Sequence, residues 1–187
     1  MNKVKILIAL SAIAVAITGC NSCNQKKVAE EDKSVKIGAI LPLSGDLSQY
    51  GESGKQGLTV ALEEFKENHK EINCDIVIED DKADVKVALS AINKLVSNDN
   101  VKIIVGAMAS GVTLGIAPVI NEKKIVLIAP TSTASDVTNA GDYIFRVCVS
   151  DAFEGKSMAD YISKNFAKAK IGVVYINNDY GIGLKKD

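Results

Sequence analysis

From residue 35 onward, short continuous apolar runs alternate with stretches in which apolar positions recur at helical spacing. Lys36–Leu43, Cys74–Glu79, Val101–Val105, Ile125–Ala129, Tyr143–Val149 and Ile171–Ile176 are runs of the kind that parallel sheets bury on both faces. Between the first two, Leu58, Ala61, Leu62 and Phe65 share one face of a predicted helix over Gly54–Asn68. Val85, Ala88, Leu89, Ile92, Leu95 and Val96 form the stripe of a second helix behind Asp84, a predicted N-cap. Further helices are predicted over Ser110–Glu122 and Phe153–Phe166, the latter capped by Asp151. Strict alternation of strand and helix implies right-handed crossovers. It predicts an α/β fold: a doubly wound, mostly parallel sheet with helices on both faces.

The first residues follow other rules. Met1–Lys5 is a short basic start, and Ile6–Thr18 is apolar but shorter than the ~20 residues a spanning helix needs. It fits the apolar core of an export signal. Ile17-Thr-Gly-Cys20 resembles a bacterial lipobox, which implies acylation of Cys20 after removal of residues 1–19. The acyl chains then replace the apolar leader as membrane anchor, at ~0.8 kcal/mol per buried methylene. Plain secretion is the competing expectation, because Ala12-Ile-Ala14 and Ala14-Val-Ala16 offer small-residue cleavage sites. Residues 20–34 are charged, lack periodicity and read as a flexible tether.

Composition removes several functions. The chain has 187 residues, is 47% hydrophobic and 24% charged, and carries a formal net charge of −1, with no basic excess for nucleic acid. It has one histidine, His69, within the polar Glu67–Glu71, where a solvated surface position is expected. Histidine-based triads and histidine-rich metal sites therefore have no material, and no metal or cofactor is expected. Cys20-Asn-Ser-Cys23 spells a CxxC, but it lies between leader and tether instead of opening a helix in a folded domain, so no redox role is expected. Cys74 and Cys148 lie in apolar strands and read as small buried residues, although an export context would permit a disulfide. Asp80, Asp81 and Asp84 at a strand-to-helix turn read as solvated capping residues. With no base beside the serines, an enzyme is not expected.

Three loops leave the carboxyl ends of strands one, three and four, where doubly wound sheets bind small ligands. In Ser44-Gly-Asp-Leu-Ser-Gln-Tyr-Gly51, a phosphate loop is the rival, since Gly54-Lys55 resembles the end of a Walker A. Gln49 stands where that motif needs Gly, and Gln56 where it needs Ser or Thr, so nucleotide binding is not expected. In Gly106-Ala-Met-Ala-Ser-Gly-Val-Thr113, Ser110 is either an N-cap or, with the following amides, a carboxylate receptor. In Ala129-Pro-Thr-Ser-Thr-Ala-Ser135, the hydroxyls serve a turn or, through Thr133 Oγ1, accept from an ammonium.

Ile40-Leu-Pro-Leu-Ser-Gly45 with Tyr50-Gly51, Gly106 with Ser110-Gly111, Ile144-Phe-Arg146 and Asp179-Tyr-Gly181 stand in one order and spacing. Together they resemble the branched-chain amino-acid-binding family of ABC-transporter solute receptors, with the type 1 periplasmic binding fold, from Val35 to the last residue. The resemblance implies two lobes closing on a ligand. It implies that Ser110 binds the ligand carboxylate, that Ser132 and Thr133 bind carboxylate and ammonium, and that Tyr50 and Tyr180 line the two lobes. It implies delivery of an amino acid to permease subunits by a lipid-anchored extracytoplasmic receptor; a ligand-sensing module of the same fold is the alternative. One departure is Ala129 where the family often has Ser before Pro130. The other is length: residues 35–149 correspond to the first lobe and 150–187 to the beginning of a second. The chain is therefore expected to be part of a longer protein, and alone to bind ligand weakly at best. A competing possibility is that the fourth helix and sixth strand pack on the sheet edge as its last unit.

Overall fold

The computed structural model describes residues 34–187. The leader, Cys20, Cys23 and the tether up to Lys33 lie outside the described residues. Strand β1 (Val35–Leu41) leads into helix α1 (Ser48–Asn68), and β2 (Cys74–Asp80) into α2 (Val85–Ser97). Strand β3 (Ile103–Val105) precedes α3 (Ser110–Lys123). Strand β4 (Val126–Ala129) is followed by a 3₁₀ turn (Ser135–Asn139), and β5 (Ile144–Arg146) by α4 (Asp151–Asn165) and α5 (Asp179–Lys186).

All four strand pairings are parallel, in the order β2-β1-β3-β4-β5. The chain first steps to one side of β1 and then to the other. The reversal puts a crevice between the carboxyl ends of β1 and β3, where backbone from two diverging loops is exposed. The apolar runs explain the order. Ile40, Ile104 and Leu127 come from the three central strands and are fully buried, with Ile92, Leu95, Ile116 and Ile120 packed against them from α2 and α3. Asp84 caps α2 as its sequence position predicts, accepting from the amides of Lys86 at 2.8 Å and Val87 at 3.0 Å. The face of α1 is covered less: Leu58, Leu62 and Phe65 are half-buried and Ala61 is exposed.

Three expectations change. Helix α1 begins at Ser48 instead of Gly54, so Tyr50 stands on its first turn. A Ser/Gly-rich stretch looked like a loop because the need for Gly51 is tertiary. A Cβ there would lie 2.2 Å from the Pro42 carbonyl oxygen, so only glycine lets the helix lie against the end of β1. Asp151 does not cap α4; Ser150 occupies that position without a side-chain bond, and Asp151 is the buried first helical residue. Ile171–Ile176 forms no strand. Its backbone meets no ladder among the described residues, and Val174 is fully exposed. Apolar chemistry suits a strand, but a strand exists only where neighbouring N–H and C=O groups complete it. Nor does α4 pack on the sheet edge; Phe153, Met158 and Tyr161 are exposed, and α4 meets α5 instead.

Candidate ligand-binding site

The crevice is built by three loops held by specific groups. The loop after β1 is tied down by Asp80 at the end of β2. Its carboxylate accepts from Leu43 N–H and Lys82 N–H, both at 2.9 Å, and from Ser44 Oγ at 2.6 Å. Burial opposes its charge, but Ser44 and the amides of Lys82, Leu43 and Ser44 outweigh it and hold the carboxyl below its usual range. Asp81 turns inward: burial raises its pKa, the Ala83 amide opposes that, and the charge of Asp80 adds to it. Of the three acids, only Asp84 behaves as the exposed cap the sequence suggested.

The loop after β3 delivers Ser110 to the start of α3. Ala109 is the N-cap and contributes no side-chain bond, so Ser110 is inside the helix. The first-turn amides of a helix have no intrahelical acceptor and carry partial positive charge. Ser110 is buried, and its Oγ accepts from Ala134 N–H at 3.2 Å. Its acceptor side is thus engaged, and its proton remains available to an anion.

The loop after β4 carries Ser132 and Thr133. Ser132 is fully buried; its Oγ donates to Ala107 O at 3.0 Å and lies 2.8 Å from Thr113 Oγ1. The Ser132 hydroxyl therefore stitches this loop to the preceding one, and only its backbone faces elsewhere. Thr133 is half-buried, and its carbonyl accepts from Asp151 N–H at 2.9 Å. Arg146 organises the whole loop. Its Nη1 donates to Thr133 O at 3.0 Å and Ala134 O at 2.9 Å, with Ser132 O at 3.5 Å, while Nη2 donates to Thr138 Oγ1 at 2.6 Å.

The tyrosines stand on opposite elements, Tyr50 on α1 and Tyr180 on α5. Burial raises the Tyr180 phenol's pKa, and the charges of Asp151, Glu154 and Tyr50 add to it. Asp179 of α5 lies against the start of α3, with its Oδ2 2.6 Å from where a Gly111 Cβ would stand. A cavity of about 220 Å³ opens alongside, lined by residues including Ala134, Ser135 and Asp179 but by none of the five predicted residues. Among the described residues, no group of three His, Cys, Asp or Glu could hold a metal ion, and no helix is long and apolar enough to cross a membrane. Cys74 and Cys148 are free thiols.

Sequence reasoning missed Arg146 and Asp80 as organisers and Asp151 as a buried residue. An arginine inside the apolar Ile144–Val149 was a usable signal, because a strand cation needs acceptors nearby. An acid before a helix carried no signal beyond capping.

Residues 34–187 match the family described as "Periplasmic binding protein". The chain belongs to that family. The family is one of solute-binding proteins that work outside the cytoplasm. Among curated relatives, the "Leu/Ile/Val-binding protein BraC3" of Rhizobium johnstonii is 33% identical over 153 residues, covering 80% of this chain and 41% of the relative. The chain thus spans about two-fifths of the length of the curated relatives it matches. The branched-chain amino acid transporter substrate binding protein LivJ of Streptococcus pneumoniae, solved with isoleucine, superposes with a TM-score of 0.76 at 29% identity. That match covers 82% of this chain and 45% of LivJ. A solute binding protein of an ABC transporter from Rhodopseudomonas palustris, solved with 3,4-dihydroxy benzoic acid, shares the fold, with a TM-score of 0.72 at 23% identity. It covers 83% of this chain and 42% of that one.

Proposed function

We propose that this chain is the ligand-binding part of an extracytoplasmic receptor that delivers an amino acid to an ABC transporter. The amino acid is of the branched-chain type or a similar small zwitterion. The observation that carries this reading is the set of groups around Ser110. A buried hydroxyl with a proton to donate stands at an uncapped helix start, beside a hydroxyl loop whose carbonyls are held by Arg146. That arrangement suits a carboxylate at one end and an ammonium at the other. The relatives with Leu/Ile/Val-binding names support the same solute class.

On this reading Ser110 and the α3 amides take the carboxylate, and Thr133 takes the ammonium, with Ser132 contributing its backbone. Tyr50 and Tyr180 flank the ligand from two walls. Residues 35–149 form the first lobe, and 150–187 begin a second. Leucine added to the protein should give saturable amide shifts at Ser110, Gly111 and Thr133 in nuclear magnetic resonance spectra. Ser110→Ala should weaken leucine by about 1–3 kcal/mol and, by leaving the buried Ala134 N–H without its acceptor, cost a similar amount of stability. Absence of saturable binding of leucine, isoleucine and valine by the longer protein of which this chain is expected to be part would overturn the reading.

Residues 1–19 act as an export signal, and Cys20 carries the lipid that holds the receptor at the membrane and near permease subunits, with residues 20–34 as tether. In a bacterial host, Cys20→Ala should move the protein from the membrane fraction to the soluble one. Unchanged membrane association would contradict lipidation at Cys20.

A further inference from the structure

Asp81 is a buried acid outside the crevice that the proposed binding site does not use. It is 1% exposed, and its Oδ2 has no hydrogen-bond partner among the described residues. Its Oδ1 accepts from Ala83 N–H at 2.9 Å. No ion pair among the described residues includes it. The charge that acts on it is that of Asp80, which has its own sign. Asp84, on the same turn, spends its carboxylate on the amides of Lys86 and Val87. Neither Lys82 beside it, nor α2, nor the β1 loop brings a cation to it. A buried carboxyl without a cation lowers its free energy by keeping its proton.

The neighbouring acid is in the opposite state. Asp80 accepts from Leu43 N–H, Lys82 N–H and Ser44 Oγ, and these donors favour its charge. Both carboxyls belong to one short turn. Asp81 N–H donates to Leu41 O at 2.9 Å, and Asp84 N–H donates to Asp81 O at 2.8 Å. Between them, Lys82 and Ala83 are both left-handed, with φ of 52° and 55°. Consecutive residues with side chains keep that conformation only where surrounding contacts enforce it. Here the two carboxyls enforce it, Asp80 by taking the Lys82 amide and Asp81 by taking the Ala83 amide. The turn also lies against the β1 loop, with Lys82 O 4.0 Å from where a Gly45 Cβ would stand.

We infer that the Asp80–Asp84 turn is a pH-sensitive clamp on the β1 loop, closed while Asp81 is neutral and loosened when Asp81 gives its proton to solvent. Ionised, Asp81 is a second negative charge beside Asp80 in a buried place, and relief requires its side chain to reach water. That movement gives up the Ala83 amide and the left-handed pair, and with them the seat of Asp80 against Leu43 and Ser44. Burial raises the Asp81 pKa, against the Ala83 amide and with the charge of Asp80. The stability contributed by neutral Asp81 is complete below the ordinary carboxylate range and is lost as pH rises through the raised value. Asp80 is held below its usual range, so its contribution is present above that range and is lost only in stronger acid. The clamp is therefore firmest between the two. It stands apart from the amino-acid reading, since no ligand takes part.

The test follows the isotope-labelled full chain by nuclear magnetic resonance and by urea unfolding from about pH 4 to 8. The Asp81 carboxyl carbon should report a neutral acid at the lower end and titrate above the ordinary carboxylate range. The amides of Leu43, Ala83 and Asp84 should shift with it and lose protection from hydrogen exchange by about tenfold or more as it ionises. Asp81→Asn keeps the shape of the neutral acid and cannot ionise, so it should remove that response. Its unfolding constant, divided by that of the wild type, should fall by up to about tenfold per pH unit through the Asp81 titration. An Asp81 already ionised at the lower end overturns the inference, and that measurement needs no variant. An Asp81 that titrates while the Leu43 amide stays unchanged also overturns it, because the buried proton then clamps nothing. A folded Asp81→Asn that unfolds with the wild-type pH dependence does the same.

Discussion

Gly106→Ala should destabilise the protein by about 3 kcal/mol or more, because two independent costs fall on one atom. Gly106 has φ of 127°, a region that side chains rarely adopt. An added Cβ would also lie 2.1 Å from the Ile40 carbonyl oxygen and 2.7 Å from Ile40 Cγ1. Ile40 cannot give way, since it is fully buried in the core on β1. Gly106 cannot either, because its N–H donates to Ile128 O at 2.9 Å and continues the β3–β4 ladder into the loop. The glycine marks the place where the loop before Ser110 crosses the end of β1, so the same change should disturb the crevice. Gly57→Ala is the control. That glycine lies in α1 with nothing within 4 Å of its virtual Cβ, so alanine should add roughly 0.5–1 kcal/mol through helix propensity. Urea denaturation of both variants checks the pair. A loss under about 1 kcal/mol for Gly106→Ala would show that the crossing relaxes easily.

Arg146→Lys should cost on the order of 2–3 kcal/mol of stability and abolish measurable leucine binding, although it conserves charge. The guanidinium serves acceptors in two directions: the carbonyls of Thr133 and Ala134 on one nitrogen, and Thr138 Oγ1 on the other. A planar fork can do this; a single ammonium on a flexible stem cannot hold the same spread. The carbonyls of Thr133 and Ala134 would lose their charged donor, and the loop facing Ser110 its shape. Arg146→Ala should be at least as severe. Urea melts and leucine titrations separate the two effects. Full rescue by lysine would mean that the loop needs only a positive charge there.

Much of this architecture was readable from residue patterns. The stripe from Val85 to Val96 predicted α2 with its cap at Asp84, and the runs at β1 to β4 predicted buried parallel strands, because periodicity reports which faces meet a core. Ser110 and Thr133 stood out because hydroxyls after buried strands are cheap to recognise. Tyr50, Ser132 and Asp151 were placed less well. Tyr50 looked like a loop residue because the close approach of Gly51 to Pro42 involves a distant carbonyl. The Ser132 hydroxyl looked available because its partners, Ala107 and Thr113, lie far away in the chain. Ile171–Ile176 had the composition of a strand and lacked a ladder.

By itself, the sequence determined the fold class, the positions of β1 to β4, the cap of α2 and the three loops that leave the carboxyl ends of β1, β3 and β4. These follow from local spacing and chemistry, which act within a few residues. Tertiary structure alone decided that Arg146 would hold the Ser132–Ala134 carbonyls, that Asp80 would anchor the β1 loop, and that Asp151 would be buried without a partner. Each depends on which distant groups arrive within about 3 Å, the range over which a hydrogen bond forms or fails.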